Sequence, residues 1–555
     1  MKIKKGKLKT LGVSRKYFFL IILVAIAVVY FQSIHFGYTH LDDQNLLLEN
    51  ITNTSAIGES FRNTLFSSGN FADIYYRPAF NFLLVLIASI GGTDSLVLFH
   101  IVQILIHYLA CIFLFLVMKQ FNLPDKLSLF SALLLAVHPM FSMAVAWIPG
   151  MNDSMTGLLL LSGIFFTIRY FQEEKMTDLV LSLILFSVLV FTKELVISLI
   201  PAVILWYFLF KKDARRKSKA IVTILVPMVS IIVLYYFVRS GVVAQSDATA
   251  PENIISSIIS NLPLLVLLPG KLIYPFDITV LPMIKDTSLI PGIIFWSITI
   301  YFIYKNQMRN NKIFIFGLCW YLLFLLPGLA VNPDGFNQDH RLYAAFPGLV
   351  LIMSQMKYIS GKSIGSLKVE YVLSAIVVIF CIYTLKYIHV FSDRLSFWTE
   401  AVTSSPDSHL ANSGMGNYYV SVGDLTTAEQ YFLQAYNISS NEKFINNNLG
   451  YIYIERGDFA KAESFINREI EINPSNSKAY LNLALINLKR ENYPEAEKLL
   501  LKTLEMNPFD SQAMRYMSAM YFRLGDKERS REYALKLIKL GEQLPEDMKR
   551  DLGIQ

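Results

Sequence analysis

Residues 1–391 consist of long apolar runs separated by short charged segments, whereas residues 392–555 are more polar and repetitive. A helix of ~20 apolar residues crosses the hydrocarbon core of a bilayer, and shorter runs can cross it as neighbouring pairs. The apolar runs lie at residues 17–36, 96–118, 127–148, 155–170, 179–192, 195–210, 220–238, 293–304, 313–329, 342–356 and 371–390. The pattern predicts an all-α, polytopic membrane domain over residues 1–391 with about eleven transmembrane helices and a first outer loop at residues 37–94.

The charged segments between the runs indicate the orientation, because cytosolic loops gather Lys and Arg. Alternation puts the following basic segments on one side: residues 1–16, 119–126, 169–175, 211–217, 305–312 and 357–368. We therefore expect a cytosolic N-terminus and an extracytoplasmic C-terminal domain. The alternation holds only if both ends of residues 254–273 lie on the outer side of the membrane. This Pro-containing run is therefore expected to lie at the surface or to be re-entrant rather than to span the membrane.

Composition agrees with a membrane protein that has a polar tail. Hydrophobic residues make up 54% of the 555 residues and charged residues 17%. A chain of this composition is too apolar to form one soluble core. Lys and Arg outnumber Asp and Glu by 31 to 20 in residues 1–391, but are outnumbered by 23 to 19 afterwards. The basic excess belongs to the membrane half, so nucleic-acid binding is not indicated. Cys111, Cys319 and Cys381 lie inside apolar runs and indicate neither a disulfide framework nor a cysteine metal site.

Residues 392–555 contain an internal repeat with a period of 34 residues. Small residues, turn dipeptides and helix-ending residues all recur at this spacing. The small residues of one set are Gly416, Gly450, Ala484 and Ser518. Small residues where two helices touch, at a period of 34, are typical of tetratricopeptide repeats. We predict a tetratricopeptide-repeat domain at residues 392–555, in which about four repeats at residues 409–544 stack into an α-solenoid.

The concave face of such a solenoid suits an extended polypeptide. The candidate residues of that face are Tyr418, Asn447, Asn448, Asn482 and Lys489. The alternative interpretation is that they are ordinary solvent-exposed polar residues.

Polar clusters in the membrane half fall on the same outer side as the repeats by the same alternation. They are Asp42-Asp43, Arg77, Asp153, Lys193-Glu194 and Asp339-His340-Arg341. A single charged residue at a helix end is usually solvated or structural. Five clusters on one face are more typical of a shared site.

Several sequence blocks resemble the signature blocks of the transmembrane and tetratricopeptide-repeat (TMTC-type) glycosyltransferases. They are Tyr76-Arg77-Pro78, residues 100–107, His138-Pro139 with residues 144–148, Asn152-Asp153, Lys193-Glu194, residues 340–343 and Pro347-Gly348. The resemblance implies a GT-C fold, an acidic motif in the first outer loop and a polyprenyl-phosphate sugar as donor. Eukaryotic members transfer mannose to Ser or Thr of secretory proteins. The chain departs from the pattern at Met143 and Met151, where Glu and Arg are usual, which puts the acceptor and any metal site in doubt.

A hydroxyl acceptor needs a general base, and Asp42 is the first candidate, with Asp43 as the alternate. Asp43 could raise the pKa of Asp42, or the pair could hold a divalent cation such as Mg²⁺ or Mn²⁺ together with Asp153. A single carboxylate acting as base predicts inversion at the anomeric carbon.

Charge grows on the leaving phosphate, so cations and donors are expected beside it. The candidates are Arg77, Lys193, Arg341 and His340. Residues of the second outer loop that could serve a metal or the acceptor are His138, Asp153 and Glu194.

The sequence thus predicts a membrane glycosyltransferase that moves a hexose, such as mannose, from a polyprenyl phosphate to Ser or Thr of an exported protein held by the repeats. Richness in Ile, Asn and Lys favours a bacterial cytoplasmic membrane and an undecaprenyl carrier. One alternative acceptor is a cell-surface glycan. Another alternative is a transporter or scaffold without chemistry, but a transporter would carry ionisable residues within its spans.

Overall fold

A computed structural model describes residues 13–43, 46–47, 60–62, 65, 75–92, 96–211, 218–243, 254–305, 311–330, 339–356, 363–364 and 367–554. The chain divides between Ser405 and Pro406 into two compact units. Apart from one antiparallel pair, Ser363–Ile364 with Leu367–Lys368, the regular structure of these residues is helical. The predicted all-α class, a membrane part followed by helical repeats, is confirmed.

The first unit is a bundle of apolar helices joined by short 3₁₀ turns. Its α-helices are Val13–Tyr30, Pro78–Gly91, Val97–Gln120, Asp125–Val137, Met143–Ala146, Met151–Glu173, Met176–Val190, Leu199–Phe210, Ser218–Val242, Ile254–Asn261, Leu264–Ile273, Ile290–Lys305, Lys312–Leu329, Leu342–Ser354, Val369–Tyr387 and Arg394–Ser404. The 3₁₀ turns are Phe31–His35, Pro139–Phe141, Ile148–Gly150, Glu194–Ser198, Pro275–Asp277, Ile284–Asp286, Asp339–Arg341 and Ile388–Phe391.

Seven helical segments among the described residues are long and apolar enough to cross a membrane. They are Arg15–His35, Val97–Gln120, Ile148–Glu173, Lys219–Val242, Ile254–Ile273, Lys312–Leu329 and Val369–Phe391. Four shorter apolar helices are Pro78–Gly91, Met176–Val190, Leu199–Phe210 and Ile290–Lys305. Each of the eleven predicted apolar runs contains a helix, although several of these helices are shorter than a full crossing.

The run Ile254–Ile273 has the length of a span but is not one continuous helix. Two helices, Ile254–Asn261 and Leu264–Ile273, meet at Leu262 and Pro263. Proline lacks the N–H that would continue the hydrogen-bond ladder, which accounts for the break.

The predicted first outer loop, residues 37–94, is not entirely loop. A helix at Pro78–Gly91 occupies its second half, with Pro78 in the first turn, where its missing N–H costs no hydrogen bond. Phe80 and Leu84 pack with Phe99 and Met151 in a buried cluster. The apolar face of residues 78–91 therefore makes this segment part of the bundle.

The boundary predicted at residues 391–392 also moves, to Ser405–Pro406. The helix Arg394–Ser404 packs on the first unit because Phe397 and Trp398 are buried there. The Ser405 hydroxyl donates a hydrogen bond to the carbonyl of Leu281, 2.9 Å away, which ties the end of this helix to the same unit.

Close contacts at glycines hold the helix that follows His340 and Arg341 against two neighbouring helices. A Cβ atom at Gly157 would lie 2.3 Å from the ring of Tyr343, and one at Gly348 would lie 2.5 Å from the carbonyl oxygen of Gly317. Only glycine permits such contacts. The helix Leu342–Ser354 is thereby held against both Met151–Glu173 and Lys312–Leu329.

The second unit consists of four helix pairs, as the 34-residue period predicts. The pairs are His409–Ser421 with Leu425–Ile438, Ile445–Glu455 with Phe459–Ile472, Ser477–Lys489 with Tyr493–Met506, and Ser511–Arg523 with Lys527–Lys539; a short helix, Glu546–Asp551, follows. Three of the second helices begin with an aspartate that accepts a backbone N–H in the first turn: Asp424, Asp458 and Asp526.

The small residue of each pair lies where the two helices touch. A Cβ atom at Gly450 would lie 2.5 Å from Cγ1 of Ile466, and one at Gly416 would lie 2.6 Å from the ring of Phe432. In the last pair, Ser518 and Ser530 each donate a hydroxyl hydrogen bond of 2.9 Å to the other's carbonyl. These contacts explain why a small residue recurs at this position in every repeat.

Replacing Gly450 with Val should loosen the second helix pair, because the added atoms overlap Ile466. Overpacking of this kind costs about 1–3 kcal/mol. Thermal unfolding of the full chain in detergent, with limited proteolysis of the repeats, would measure the loss. Ala460→Val, at an exposed site of the same pair, is the control. Equal protease resistance of the two variants would contradict the packing described here.

Candidate active site

A cavity of about 330 Å³ in the first unit gathers charged residues that are far apart in the sequence. Its titratable lining residues include Asp42, Arg77, Asp153, Lys193, Glu194, His340 and Arg341. Each was predicted as a site residue from the sequence. Apolar lining residues include Leu264, Phe324, Leu325 and Leu329, so the charged groups face an apolar surface across a small space.

Asp42 and Asp43 are adjacent but have different surroundings. Asp42 is half-buried and lines the cavity, and among the described residues its carboxylate has no ion-pair or hydrogen-bond partner. Asp43 is buried, and its Oδ2 accepts hydrogen bonds from the backbone N–H and the hydroxyl of Thr39, at 2.6 and 3.0 Å. The two carboxylates are thus suited to different roles: Asp42 to meeting a ligand and Asp43 to holding the loop.

Burial, and after it the repulsion of Asp43, raises the pKa of Asp42 to about 6. Burial also raises the pKa of Asp43, although the hydrogen bonds from Thr39 oppose the shift. A carboxylate with a pKa near 6 is still ionised at neutral pH and is a stronger base than an ordinary aspartate.

Arg77 is held by Glu194 and by aromatic neighbours. Its Nη2 lies 3.1 Å from Oε2 of Glu194, and its Nε lies 3.3 Å from the same oxygen. The guanidinium carbon also lies 4.6 Å from the ring centre of Tyr75. The hydroxyl of Tyr235 donates to the carbonyl of Tyr76 at 3.1 Å, which fixes the backbone just before Arg77.

Asp153 lies in the first turn of the helix Met151–Glu173, where the helix dipole favours a carboxylate. Its Oδ1 is 2.6 Å from Nζ of Lys193, and its Oδ2 is 3.5 Å from Nε2 of His340. Burial lowers the pKa of Lys193, and the carboxylate of Asp153 opposes that shift. Asp153 therefore joins residues from two different loops.

His340 is neutral at physiological pH. Burial lowers its pKa to about 4, Lys193 and Arg341 reinforce the shift, and Asp153 opposes it. Its Nδ1 is buried and finds no hydrogen-bond partner among the described residues. The same is true of Oδ1 of Asn152, another lining residue. Both atoms are available to a ligand in the cavity.

His138 does not join the other predicted residues. It is fully buried, its Nε2 lies 3.0 Å from the carbonyl of Leu272, and its Nδ1 accepts the backbone N–H of Met140 at 3.2 Å. These bonds place it at the start of a 3₁₀ turn, Pro139–Phe141, and not among the cavity residues.

Most carboxylates in and beside the cavity already have partners. Asp153 is engaged by Lys193 and His340, Glu194 by Arg77, and Asp43 by Thr39. In the part of the chain that the structure describes, no three His, Cys, Asp or Glu residues could hold a metal ion.

The five repeat residues predicted to line the concave face lie in first helices of the pairs. Asn447 is buried and its Oδ1 accepts a hydrogen bond of 2.9 Å from Asn482, while Asn448 donates to Asn417 at 3.3 Å. Tyr418 is half-buried and Lys489 is exposed. These contacts make Asn447 a part of the helix packing, whereas the other four keep accessible surface.

Residues 77–239 match a family model described as dolichyl-phosphate-mannose-protein mannosyltransferase. Residues 445–476 and 481–545 match two tetratricopeptide-repeat models. This combination is consistent with a TMTC-type O-mannosyltransferase-like protein. The match indicates a glycosyltransferase, and with the apolar helices it indicates an integral membrane protein. The matched segment contains Arg77, Asp153, Lys193 and Glu194 of the cavity. Comparison with the curated proteins gives no match.

The sequence did not reveal the residues that hold these charged groups in place. Thr39 and Tyr235 gave no signal because they are uncharged. A signal did exist for Lys271, a lone ionisable residue inside the apolar run at residues 254–273. Its Nζ lies 2.7 Å from Oδ2 of Asp339, and both side chains are almost inaccessible, at 3% and 5% exposure.

Replacing Lys271 with Met should destabilise the first unit and displace His340 and Arg341, because Asp339 would be a buried carboxylate without its counter-ion. Breaking a buried pair costs about 3–5 kcal/mol. The double variant Lys271→Met/Asp339→Asn should recover part of the loss. Thermal unfolding in detergent would measure all three.

The matched control is Lys126→Met, because its ion pair with Glu370 is exposed, at 69% and 55%. Exposed pairs contribute little. If the Lys271 and Lys126 variants unfolded at the same temperature, the buried pair would have no such structural role.

Proposed function

We propose that this chain transfers a sugar, mannose or another hexose, from a polyprenyl-phosphate donor to a Ser or Thr hydroxyl of an exported protein. The proposal rests on one observation: Asp42, with its carboxylate unpaired among the described residues, lines the same small cavity as Arg77, Lys193 and Arg341. A base, a set of cations and an apolar surface are the three features that this reaction requires. The mannosyltransferase match over residues 77–239 supports the reaction class.

In the proposed reaction, Asp42 accepts the proton of the acceptor hydroxyl as its oxygen attacks the anomeric carbon. The bond from that carbon to the phosphate oxygen breaks, and the oxygen leaves with the electron pair. Such general-base assistance contributes roughly 10²- to 10⁴-fold. Because a single carboxylate acts and no glycosyl-enzyme forms, the anomeric centre inverts.

The leaving phosphate would be met by Arg341, Arg77 and Lys193. Arg77 and Lys193 already have carboxylate partners, so the phosphate would share or replace Glu194 and Asp153 as their counter-ion. The neutral His340 would stand beside the phosphate, with Nε2 donating to Asp153 and Nδ1 able to accept a hydrogen bond from the ligand.

The acceptor would be a polypeptide held on the repeats, where Tyr418, Asn448, Asn482 and Lys489 are the proposed contacts. The alternation of basic segments supports a cytosolic N-terminus, with the cavity and the repeats on the extracytoplasmic side. A bacterial cytoplasmic membrane and an undecaprenyl carrier are part of the same proposal.

Replacing Asp42 with Asn should reduce sugar transfer at least 100-fold, at the lower end of general-base effects of roughly 10²- to 10⁴-fold. Membranes containing the variant would be assayed with a radiolabelled polyprenyl-phosphate sugar and an exported acceptor protein. Asp286→Asn, an exposed aspartate outside the cavity, is the control. Transfer by Asp42→Asn at the wild-type rate would remove Asp42 from the mechanism, and label found only on glycan would favour the alternative acceptor.

The rate of transfer should rise with pH through about 6 and then level off, because Asp42 must be deprotonated to act as base. Below that pH, kcat/KM should fall by about tenfold per pH unit. His340 should add no inflection near neutrality, since its pKa is about 4. Initial rates between pH 4.5 and about 8.5 would measure the profile. A flat profile across pH 6 would contradict a base with the pKa of Asp42.

A further inference from the structure

Thr39 is a junction of hydrogen bonds beside the loop that carries Asp42. Its N–H and hydroxyl donate to Oδ2 of Asp43, at 2.6 and 3.0 Å. The same hydroxyl oxygen accepts the indole N–H of Trp147 at 3.1 Å, and the carbonyl accepts the indole N–H of Trp398 at 3.0 Å. Thr39, Asp43 and both indoles are buried, with exposures of 4% or less, so little water can replace a lost bond.

The loop beyond Thr39 needs such support because its backbone is strained. His40 adopts a left-handed conformation, with φ of 58°. A side chain other than glycine is rarely found there and stays only when its surroundings fix it. Asp42 follows two residues later. Its direction into the cavity therefore depends on how firmly Thr39 and Asp43 are held.

Trp398 belongs to the helix Arg394–Ser404, which the sequence alone assigned to the repeat domain. Besides the hydrogen bond from the Trp398 indole to Thr39, three hydrogen bonds tie residues 392–405 to other parts of the first unit. The bonds are from Gly37 N–H to the Ser392 carbonyl at 2.7 Å, from Val280 N–H to Glu400 Oε2 at 3.1 Å, and from the Ser405 hydroxyl to the Leu281 carbonyl at 2.9 Å. The helix is thus fixed along its length.

We propose that Trp398 is a positioning residue for the glycosyl transfer: through the Thr39 carbonyl it fixes the loop that directs Asp42 into the cavity. The inference rests on the proposed function for its rate effects, but not for its structural effect on Asp42. The helix Arg394–Ser404, which precedes the repeats in the sequence, is then part of the scaffold that positions Asp42. Trp398 itself does not line the cavity and touches no substrate.

The test compares two variants that break the junction with two that do not. Trp398→Phe removes the indole N–H but keeps an aromatic ring, and Thr39→Val removes the hydroxyl at nearly constant volume. Thr39→Ser keeps the hydroxyl and is the conservative rescue. Trp206→Phe is the control for a buried indole outside the cavity, since Trp206 stacks on Phe171 with ring centres 5.6 Å apart.

Two readouts are taken on monodisperse full-length protein in detergent. The first is the split of transfer kinetics into kcat and donor KM. A misplaced reactive group costs up to about 100-fold in rate. We expect Trp398→Phe and Thr39→Val to lower kcat by about 10- to 100-fold with little change in donor KM.

The second readout needs no transfer activity. Carbodiimide with an amine labels protonated carboxyl groups, and peptide mass spectrometry would follow the label on Asp42 against pH. In the wild type the midpoint should lie near 6, because Asp42 is buried beside Asp43. The other charged groups lining the cavity are Arg77, Asp153, Lys193, Glu194, His340 and Arg341. Release of the loop exposes Asp42 to water and moves it from Asp43, so the midpoint should fall towards that of an ordinary aspartate.

Lower kcat and a lower midpoint in Trp398→Phe and Thr39→Val, with Thr39→Ser and Trp206→Phe like the wild type, would support the positioning role. A wild-type midpoint and kcat in Trp398→Phe would overturn it. If Trp398→Phe did not yield folded protein, an equal effect of Thr39→Val and Thr39→Ser would overturn it instead. A wild type that transfers no sugar, but whose Asp42 midpoint falls in both variants, would refute the proposed function and leave the positioning role standing.

Discussion

Buried charge is the constraint on which the membrane unit depends. A carboxylate or ammonium group among apolar helices is stable only beside an opposite charge or a hydrogen-bond donor. The pairs Lys193–Asp153, Arg77–Glu194 and Lys271–Asp339 meet this requirement, and each joins segments that are distant in the sequence. The same contacts that make the charges tolerable therefore fasten loop to loop and fix where each charge stands in the cavity.

Asp42 differs from these paired groups, and the difference is what gives the cavity its chemical direction. Its neighbour Asp43 takes the hydrogen bonds of Thr39, so the loop is held by one carboxylate while the other keeps its oxygens towards the cavity. Burial without a partner raises the pKa of Asp42. Elsewhere in the cavity, the carboxylate of Asp153 holds Lys193 and His340 close together. One low-dielectric setting thus raises the proton affinity of a carboxylate at one place and holds Lys193 beside Asp153 at another.

The sequence was sufficient for the fold class, and it singled out the charged residues that the cavity brings together. Apolar runs of helical length and a period of 34 residues are direct consequences of membrane thickness and of repeat packing, so both could be read without coordinates. Arg77, Asp153, Lys193 and Arg341 stood out because the alternation of basic segments puts their polar clusters on one side of the membrane. Periodicity cannot show which side chains contact each other across distant segments. For this reason the sequence could not decide between Asp42 and Asp43 as the base. For the same reason it grouped His138 with the site and Trp398 with the repeats.

For the proposed reaction, the size of the cavity sets a condition on the acceptor. A volume of about 330 Å³ is at the lower end of ordinary ligand pockets. A sugar, a phosphate and one side chain would fill it, so a helix or a sheet edge could not enter with the hydroxyl. A protein substrate would therefore have to offer its Ser or Thr on an extended stretch of chain, either before it folds or from a linker that never folds. Modification by such a site would be coupled to the timing of export, and the finished fold of the acceptor would decide which hydroxyls are never reached.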